Sequence, residues 1–279
     1  MRLHVIETGT FKLDGGAMFG VVPKAIWQKT NPADENNLCT WSMRCLLVED
    51  GDRLMLIDTG IGQKQDDRFL RHYHLSGGKD LKASLADAGF QPSDVTDVFL
   101  THLHFDHCGG AVERSENGFR TTFTRARYWT NRDHWDWAVH PNAREKASFL
   151  TENIMPLEQS GQLHLTHPGA ASQFPDMDVI YVSGHTEKMM IPIIRYGRHQ
   201  VAFMADLLPS IGHIPLPYVM GYDTRPLLTL EEKGVFLERA ARDGIVLFFE
   251  HDPVNECCTV QMTDKGVRLK EAFPLSDLG

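Results

Sequence analysis

Three histidines and an aspartate fall within six residues in the stretch Thr101-His102-Leu103-His104-Phe105-Asp106-His107-Cys108-Gly109-Gly110. Imidazole nitrogen and carboxylate oxygen are ligands for zinc and comparable divalent metals, so metal chemistry is the first expectation. His102, His104 and Asp106 alternate, and an extended backbone would send them to one side. His107 breaks that alternation, which lets the cluster serve two neighbouring positions. A structural zinc site would draw on cysteine thiolates, and none stands at ligand spacing here. The plainer reading is a polar loop of histidines, since short motifs also arise by chance.

The surrounding chain bears on that choice, because four strand-like runs each lead into a candidate ligand. Val98-Phe99-Leu100-Thr101 leads to His102, and Val179 to Gly184 leads to His185. Val201 to Ala205 leads to Asp206, and Ile245 to Glu250 leads to His251. Loops at strand ends are where a rigid sheet presents chemistry. Taken singly, His185 or His251 reads as a solvated loop histidine; taken with the cluster, the ligand reading prevails.

Other strands are expected at 2–8, 40–49, 53–57, 162–165, 191–196, 258–262 and 266–270. Asp50-Gly51-Asp52 and Tyr196-Gly197-Arg198 carry hairpin signals. Helical patterns fall near 66–73, at 79–88 and at about 229–243, where Thr229 and Glu232 have capping-box spacing and Gly244 marks the end. Phe11 to Gly20 reads as a glycine-rich loop, with Gly15-Gly16 as a turn. It lacks the Lys-Ser/Thr end of a phosphate-binding loop. Gly109-Gly110 predicts a tight turn. The polar, aromatic-rich segment at about 131–160 reads as a helical insertion between two sheet halves, with Trp135, Trp137 and Phe149 packing it or lining a pocket.

His-x-His-x-Asp-His after a strand resembles the signature of the metallo-β-lactamase superfamily, nearest its lactonase-like and organophosphate-hydrolase-like branch. The resemblance runs from Asp58 to His251, with the later ligands in order. It implies an α/β fold, a four-layer αββα sandwich of two mixed β-sheets flanked by helices. It implies a first metal held by His102, His104 and His185, a second by Asp106, His107 and His251, and Asp206 bridging both. Asp58 corresponds to the aspartate that holds a ligand histidine from behind; capping the turn at Thr59-Gly60 is the other reading. Two divalent ions are implied, zinc first, with manganese, iron and cobalt also suited to such donors.

The implied activity is hydrolysis by a hydroxide bridging the two metals. The substrate would be a small, partly apolar molecule with an ester-like bond: a lactone, carboxylic ester or phosphotriester. Asp106 would orient the nucleophile or pass on its proton. The bridging Asp206 argues against β-lactamase activity. The resembled lactonases place a tyrosine three residues beyond that aspartate, where this chain has Pro209; Tyr222 could supply a phenol from another loop, or serve as a packing residue. The turn after His185, Thr186-Glu187-Lys188-Met189-Met190, also departs from the family pattern. Met18, Phe19, His213 and Tyr222 are the pocket candidates. The alternative activity is an iron-dependent thiol oxygenase of the same superfamily.

Composition narrows the classes further. The 279 residues carry a formal charge of -9, with 42% hydrophobic and 23% charged residues. An acidic chain without a Lys/Arg cluster disfavours nucleic-acid partners. No run approaches the roughly 18 apolar residues of a membrane span, and the start lacks the apolar core of a signal peptide. The five cysteines form no paired framework, so a reducing, cytoplasmic setting is expected. Because the candidate ligands span most of the chain, 1–279 is read as a single domain.

Overall fold

The structure, a computed structural model, describes residues 1–169 and 173–279. It is a mixed α/β chain with two large mixed sheets, and it divides into two compact units: Met1–Gly9 with Met43–Ala171, and Thr10–Ser42 with Ser172–Gly279.

The elements run in the order β1 (Arg2–Asp14), α1 (Gly15–Phe19), α2 (Lys24–Trp27), β2 (Leu38–Asp50), β3 (Arg53–Ile57), α3 (Asp67–His72), α4 (Leu81–Asp87), β4 (Asp97–Phe99) and α5 (Phe105–Cys108). Next come β5 (Val112–Ser115), β6 (Gly118–Thr121), β7 (Arg127–Asn131), α6 (Arg132–Val139), α7 (Thr151–Gln159) and β8 (Leu163–Thr166). The chain closes with β9 (Met177–Val182), β10 (Met189–Tyr196), β11 (His199–Phe203), α8 (Pro226–Asp243), β12 (Val246–Phe248), β13 (Cys257–Thr263) and β14 (Gly266–Phe273).

In the first unit, β2 and β3 form the expected hairpin: Asp50 pairs with Arg53 around Gly51, whose φ of 57° suits a two-residue turn. β3, β4, β7 and β8 then run parallel, and β3 and β4 are buried along almost their whole length. Leu54, Leu56, Val98, Leu100 and Tyr128 join Leu81 and Leu85 of α4, and Ile154 and Leu157 of α7, in one buried cluster. Within the segment expected as a helical insertion, α6 and α7 link β7 to β8, neighbouring strands of one sheet.

In the second unit the sheet order is β14-β13-β12-β11-β10-β9. β9 and β10, and β10 and β11, are antiparallel, while β11 and β12 are parallel. β9, β11 and β12 therefore all point the same way, and their C-terminal ends share one edge. α8 makes the crossover from β11 to β12, and Gly244, in the left-handed region at φ 66°, ends it.

Two local expectations are corrected. Phe11 to Gly20 is not a loop: β1 runs on to Asp14, whose carboxylate accepts from the Ala17 amide and caps α1. Gly15 is needed there for packing, because a Cβ would lie 2.3 Å from the Trp27 ring. α8 begins at Pro226, not Thr229, since proline at the first helical position needs no amide partner. Glu232 is consequently inside the helix and free for another task. No helix among the described residues is long and apolar enough to cross a membrane.

Candidate functional site

A single offset governs the placement of the donors. β4 ends at Phe99, β9 at Val182, β11 at Phe203 and β12 at Phe248. His102, His185, Asp206 and His251 each stand three residues further on. Phe203 and Phe248 are register partners on parallel strands, so Asp206 and His251 leave the same edge at the same height.

In the first unit, the histidine cluster folds as a short turn with the rings of His102, His104 and His107 packed together. Ring centroids of His102 lie 4.6 Å from His104 and 3.9 Å from His107. Asp58, which leaves β3 beside β4, organises the cluster from behind. Its carboxylate accepts from the Thr101 amide at 2.8 Å and the Thr101 hydroxyl at 2.6 Å, and it lies 3.1 Å from His107 Nδ1. The Thr101 hydroxyl, having spent its proton on Asp58, can only accept from His102 Nδ1 at 3.1 Å. Both rings thus carry their proton on Nδ1 and turn the Nε2 lone pair outward, the tautomer a metal ligand needs. Asp58 does this from a φ of 56°, a left-handed conformation that aspartate tolerates better than most residues. Asp106 is nearly buried, 3.7 Å from His107 Nε2.

The 131–160 segment braces the same turn, a role the sequence did not disclose. His134 Nε2 accepts from the Leu103 amide at 2.8 Å, which fixes His134 as a neutral ring protonated on Nδ1. The Ser148 carbonyl accepts from the Phe105 amide, and the Phe149 ring packs 4.8 Å from His104. The buried Glu145 carboxylate lies 3.5 Å from His104 Nε2 and accepts from Trp137 Nε1 and Asn142 Nδ2. The expected tight turn at Gly109-Gly110 is instead a close approach. Gly109 has a helical φ of -60°, and a Cβ on it would lie 2.1 Å from the Ile61 carbonyl oxygen.

In the second unit, the two oxygens of Asp206 are divided between two histidines: Oδ2 lies 3.0 Å from His185 Nε2 and Oδ1 lies 3.1 Å from His251 Nε2. The far nitrogens are held as well. His185 Nδ1 is 3.0 Å from Asp223, and His251 Nδ1 donates to the Ser42 carbonyl at 2.8 Å. Asp252 accepts from the Ile211 amide, tying the loop after Asp206 to the loop after His251. Burial works against a charge on His185, yet Asp206 and Asp223 on its two nitrogens push its pKa up to about 10. Ala205, beside Asp206, has a φ of 42°, backbone strain of the kind that collects at functional sites.

Three of the four pocket candidates form a packed layer in this unit. Phe19 stacks on His213 at 4.3 Å and on Trp27 at 5.3 Å, and His213 Nε2 donates to the Met18 carbonyl at 2.9 Å. Met18, Phe19 and His213 are all buried, whereas Tyr222 is 42% exposed beside Asp223. The presentation of His185 relies on a residue that sequence reading assigned elsewhere: Glu232 accepts from the Ser183 and Gly184 amides at 2.7 and 2.9 Å.

The donor types fit a metal. Each of His102, His107, His185 and His251 has one nitrogen held by a hydrogen-bond partner, which orients the other. The carboxylate of Asp206, with its oxygens facing apart, suits two cations.

A family model described as the metallo-beta-lactamase superfamily matches residues 44–251. An N-acyl homoserine lactonase of Bacillus thuringiensis subsp. kurstaki is 23% identical over 267 residues, covering 90% of this chain and 93% of that protein. A probable metal-dependent hydrolase from Staphylococcus aureus superposes with a TM-score of 0.88 at 27% identity, covering 98% of this chain and 96% of its own. AidC, a dizinc quorum-quenching lactonase, superposes with a TM-score of 0.78 at 22% identity over 98% and 95% of the two chains.

Proposed function

The chain belongs to the metallo-β-lactamase superfamily, and from that premise we propose that it is a hydrolase of ester-like bonds working with two divalent metal ions. His102, His104 and His185 would hold the first ion, Asp106, His107 and His251 the second, and Asp206 would bridge them. The observation that carries this reading is the split Asp206 carboxylate, one oxygen toward His185 and the other toward His251. On this reading the two units act as one domain, with about 131–160 as its helical insertion.

When bound, such an ion pair supplies Lewis acidity and a water acidic enough to attack at neutral pH. The chain's own residues do the rest. Asp58 keeps the His107 ring and, through Thr101, the His102 ring in the coordinating tautomer. Asp223 and the Ser42 carbonyl do the same for His185 and His251. Asp106 would orient the attacking water and carry its proton toward the leaving oxygen. Met18, Phe19 and His213 would back the pocket wall, and the exposed Tyr222 phenol would be the group that reaches a substrate.

Zinc is the first metal to test, because the similar AidC is a dizinc enzyme. Lactones are the first substrate class, because the Bacillus relative is a lactonase; carboxylic esters and phosphotriesters follow. A small neutral substrate suits a chain of net charge -9 better than a polyanion. None of the five cysteines forms a disulfide among the described residues, which suits a reducing, cytoplasmic setting.

The deciding experiment is metal quantification on purified protein, run beside a panel of lactones, aryl esters and phosphotriesters. The expected result is about two metal equivalents per chain and turnover of one ester-like class. Full turnover by a His102→Ala variant would refute the assignment.

A further inference from the structure

A cavity of about 540 Å³ lies in the first unit, and none of the ring-cluster histidines lines it. Thr59, Ile61 and Gly62 line it together with Gly110, so its floor is the glycine contact that seats the turn. Its lining mixes two chemistries. Met43, Ile61, Leu75, Leu81 and Val112 are apolar. Lys64, Lys79, Lys82 and Arg114 stand with Asp80 and Glu113, an excess of positive charge in a chain whose net charge is -9.

Both acids are already spent. Glu113 pairs with Lys82 and Arg120, and Asp80 caps α4 and accepts from Gln63. Lys79 pairs with Asp87. Lys64 is different: it is 3% exposed, and its one hydrogen-bond acceptor among the described residues is the Gly109 carbonyl. Arg114 donates to the Lys64 carbonyl and lies over the Phe119 ring, with no carboxylate partner among the described residues. The Thr122 hydroxyl also lines the cavity, is buried, and has no hydrogen-bond partner. The Glu152 carboxylate favours the Lys64 charge from a distance without hydrogen-bonding it; a buried ammonium bonded only to a carbonyl and a buried hydroxyl without a partner are both costly unless a ligand completes them.

We propose that this cavity is a second small-molecule site, separate from the metal donors, for an amphipathic monocarboxylate. The buried donors are few and suit the two oxygens of a carboxylate rather than a phosphate. The apolar lining takes a short hydrocarbon tail, and the volume is within the range of small-ligand pockets.

Octanoate is the probe, with 1-octanol as its uncharged counterpart, and calorimetric titration of the metal-loaded full chain is the measurement. Octanoate should bind and 1-octanol should bind at least about tenfold more weakly. Lys64→Met should weaken octanoate by about tenfold or more. Thr122→Val keeps the shape of the side chain and removes a hydroxyl with no internal partner, so its fold is secure; it should weaken octanoate about threefold. His251→Ala, which alters the metal donors, should leave octanoate binding in place. The proposal is overturned if octanoate fails to bind, if 1-octanol binds equally well, or if Thr122→Val and Lys64→Met bind like the parent. Loss in His251→Ala alone would place the carboxylate on the metal donors and overturn it equally.

Discussion

Glu232, one turn and a half into α8, holds the Gly184 amide at 2.9 Å and the neighbouring Ser183 amide at 2.7 Å. Helix and loop can meet this closely because residue 184 is glycine: a Cβ there would lie 2.3 Å from the Thr229 amide nitrogen. The Arg225 amide and guanidinium return to the Gly184 and Ser183 carbonyls. His185 is thus delivered by a clamp built from the N-terminal turns of α8. Glu232→Ala would leave two backbone amides without their acceptor, at a cost of about 1–3 kcal/mol. The variant should melt earlier and bind metal more weakly, while Glu232→Gln, which keeps one acceptor oxygen, should fall between. Thermal melts with and without added zinc measure both effects. Equal metal affinity in all three proteins would show that the clamp serves stability alone.

Asp58→Asn tests the support behind the histidine turn. The amide keeps the shape but loses one acceptor, so it cannot serve the Thr101 amide, the Thr101 hydroxyl and His107 Nδ1 together. Losing such a partner typically lowers metal affinity about 10–100-fold. Competition against a chromophoric chelator reads this directly. A variant that keeps parental affinity but melts earlier would return Asp58 to the simpler role of capping its turn.

What the sequence disclosed follows from how local each signal is. The Gly51 and Gly197 hairpins, α4 before Gly89 and the C-terminal stop of α8 at Gly244 depend on neighbouring residues and are readable by eye. The candidate donors stand out in the sequence because strand exits and His/Asp types coincide at His102, His185, Asp206 and His251. The supports do not. Asp223, Glu232, His134 and Glu145 act through contacts to residues 31 to 49 positions away or through a fold-back within the 131–160 segment. Their residue types alone look like ordinary solvent-facing polar side chains. Glu232 was misassigned for a physical reason: Ser/Thr-x-x-Glu spacing recurs inside helices, and the proline at 226 had already started this one. Gly15 and Gly109 read as turns because glycine signals both turns and close packing, and only the neighbouring Trp27 ring and Ile61 carbonyl distinguish the two.

His213 gives the fold a defined response to acid. Its Nε2 donates to the Met18 carbonyl and its Nδ1 faces the Ser210 hydroxyl, so the ring is bound in its neutral form. Burial, opposed only in part by the Met18 carbonyl, pushes its pKa down to about 3. An unfolded chain takes up a proton on this ring near pH 6.5, and the folded chain does not until about 3. Between those values the unfolded state binds more protons, so this contribution is present above about pH 6.5 and is lost as the pH falls toward 3. His213→Gln, which cannot titrate, should flatten that part of the curve. Chemical denaturation of the metal-free protein at intervals from pH 7 to pH 4 checks it, and parallel curves for parent and variant would remove His213 as the cause.

Asp206→Asn is the sharpest test of the metal arrangement. The carboxylate meets both imidazoles, 3.0 Å from His185 and 3.1 Å from His251. An asparagine keeps the volume but offers one oxygen and one NH₂ group, and an NH₂ group, a donor only, can neither ligate a metal nor accept a hydrogen bond. One of the two histidines would then meet a donor where it met an acceptor. The far nitrogens stay held by Asp223 and the Ser42 carbonyl, so the rings should keep their places and the chain its fold. Metal content should therefore fall from about two equivalents toward one, with far-ultraviolet dichroism unchanged and ester turnover lost. If Asp206→Asn still binds the full complement of metal, the carboxylate is not the bridge, and the role passes to water held by the surrounding histidines.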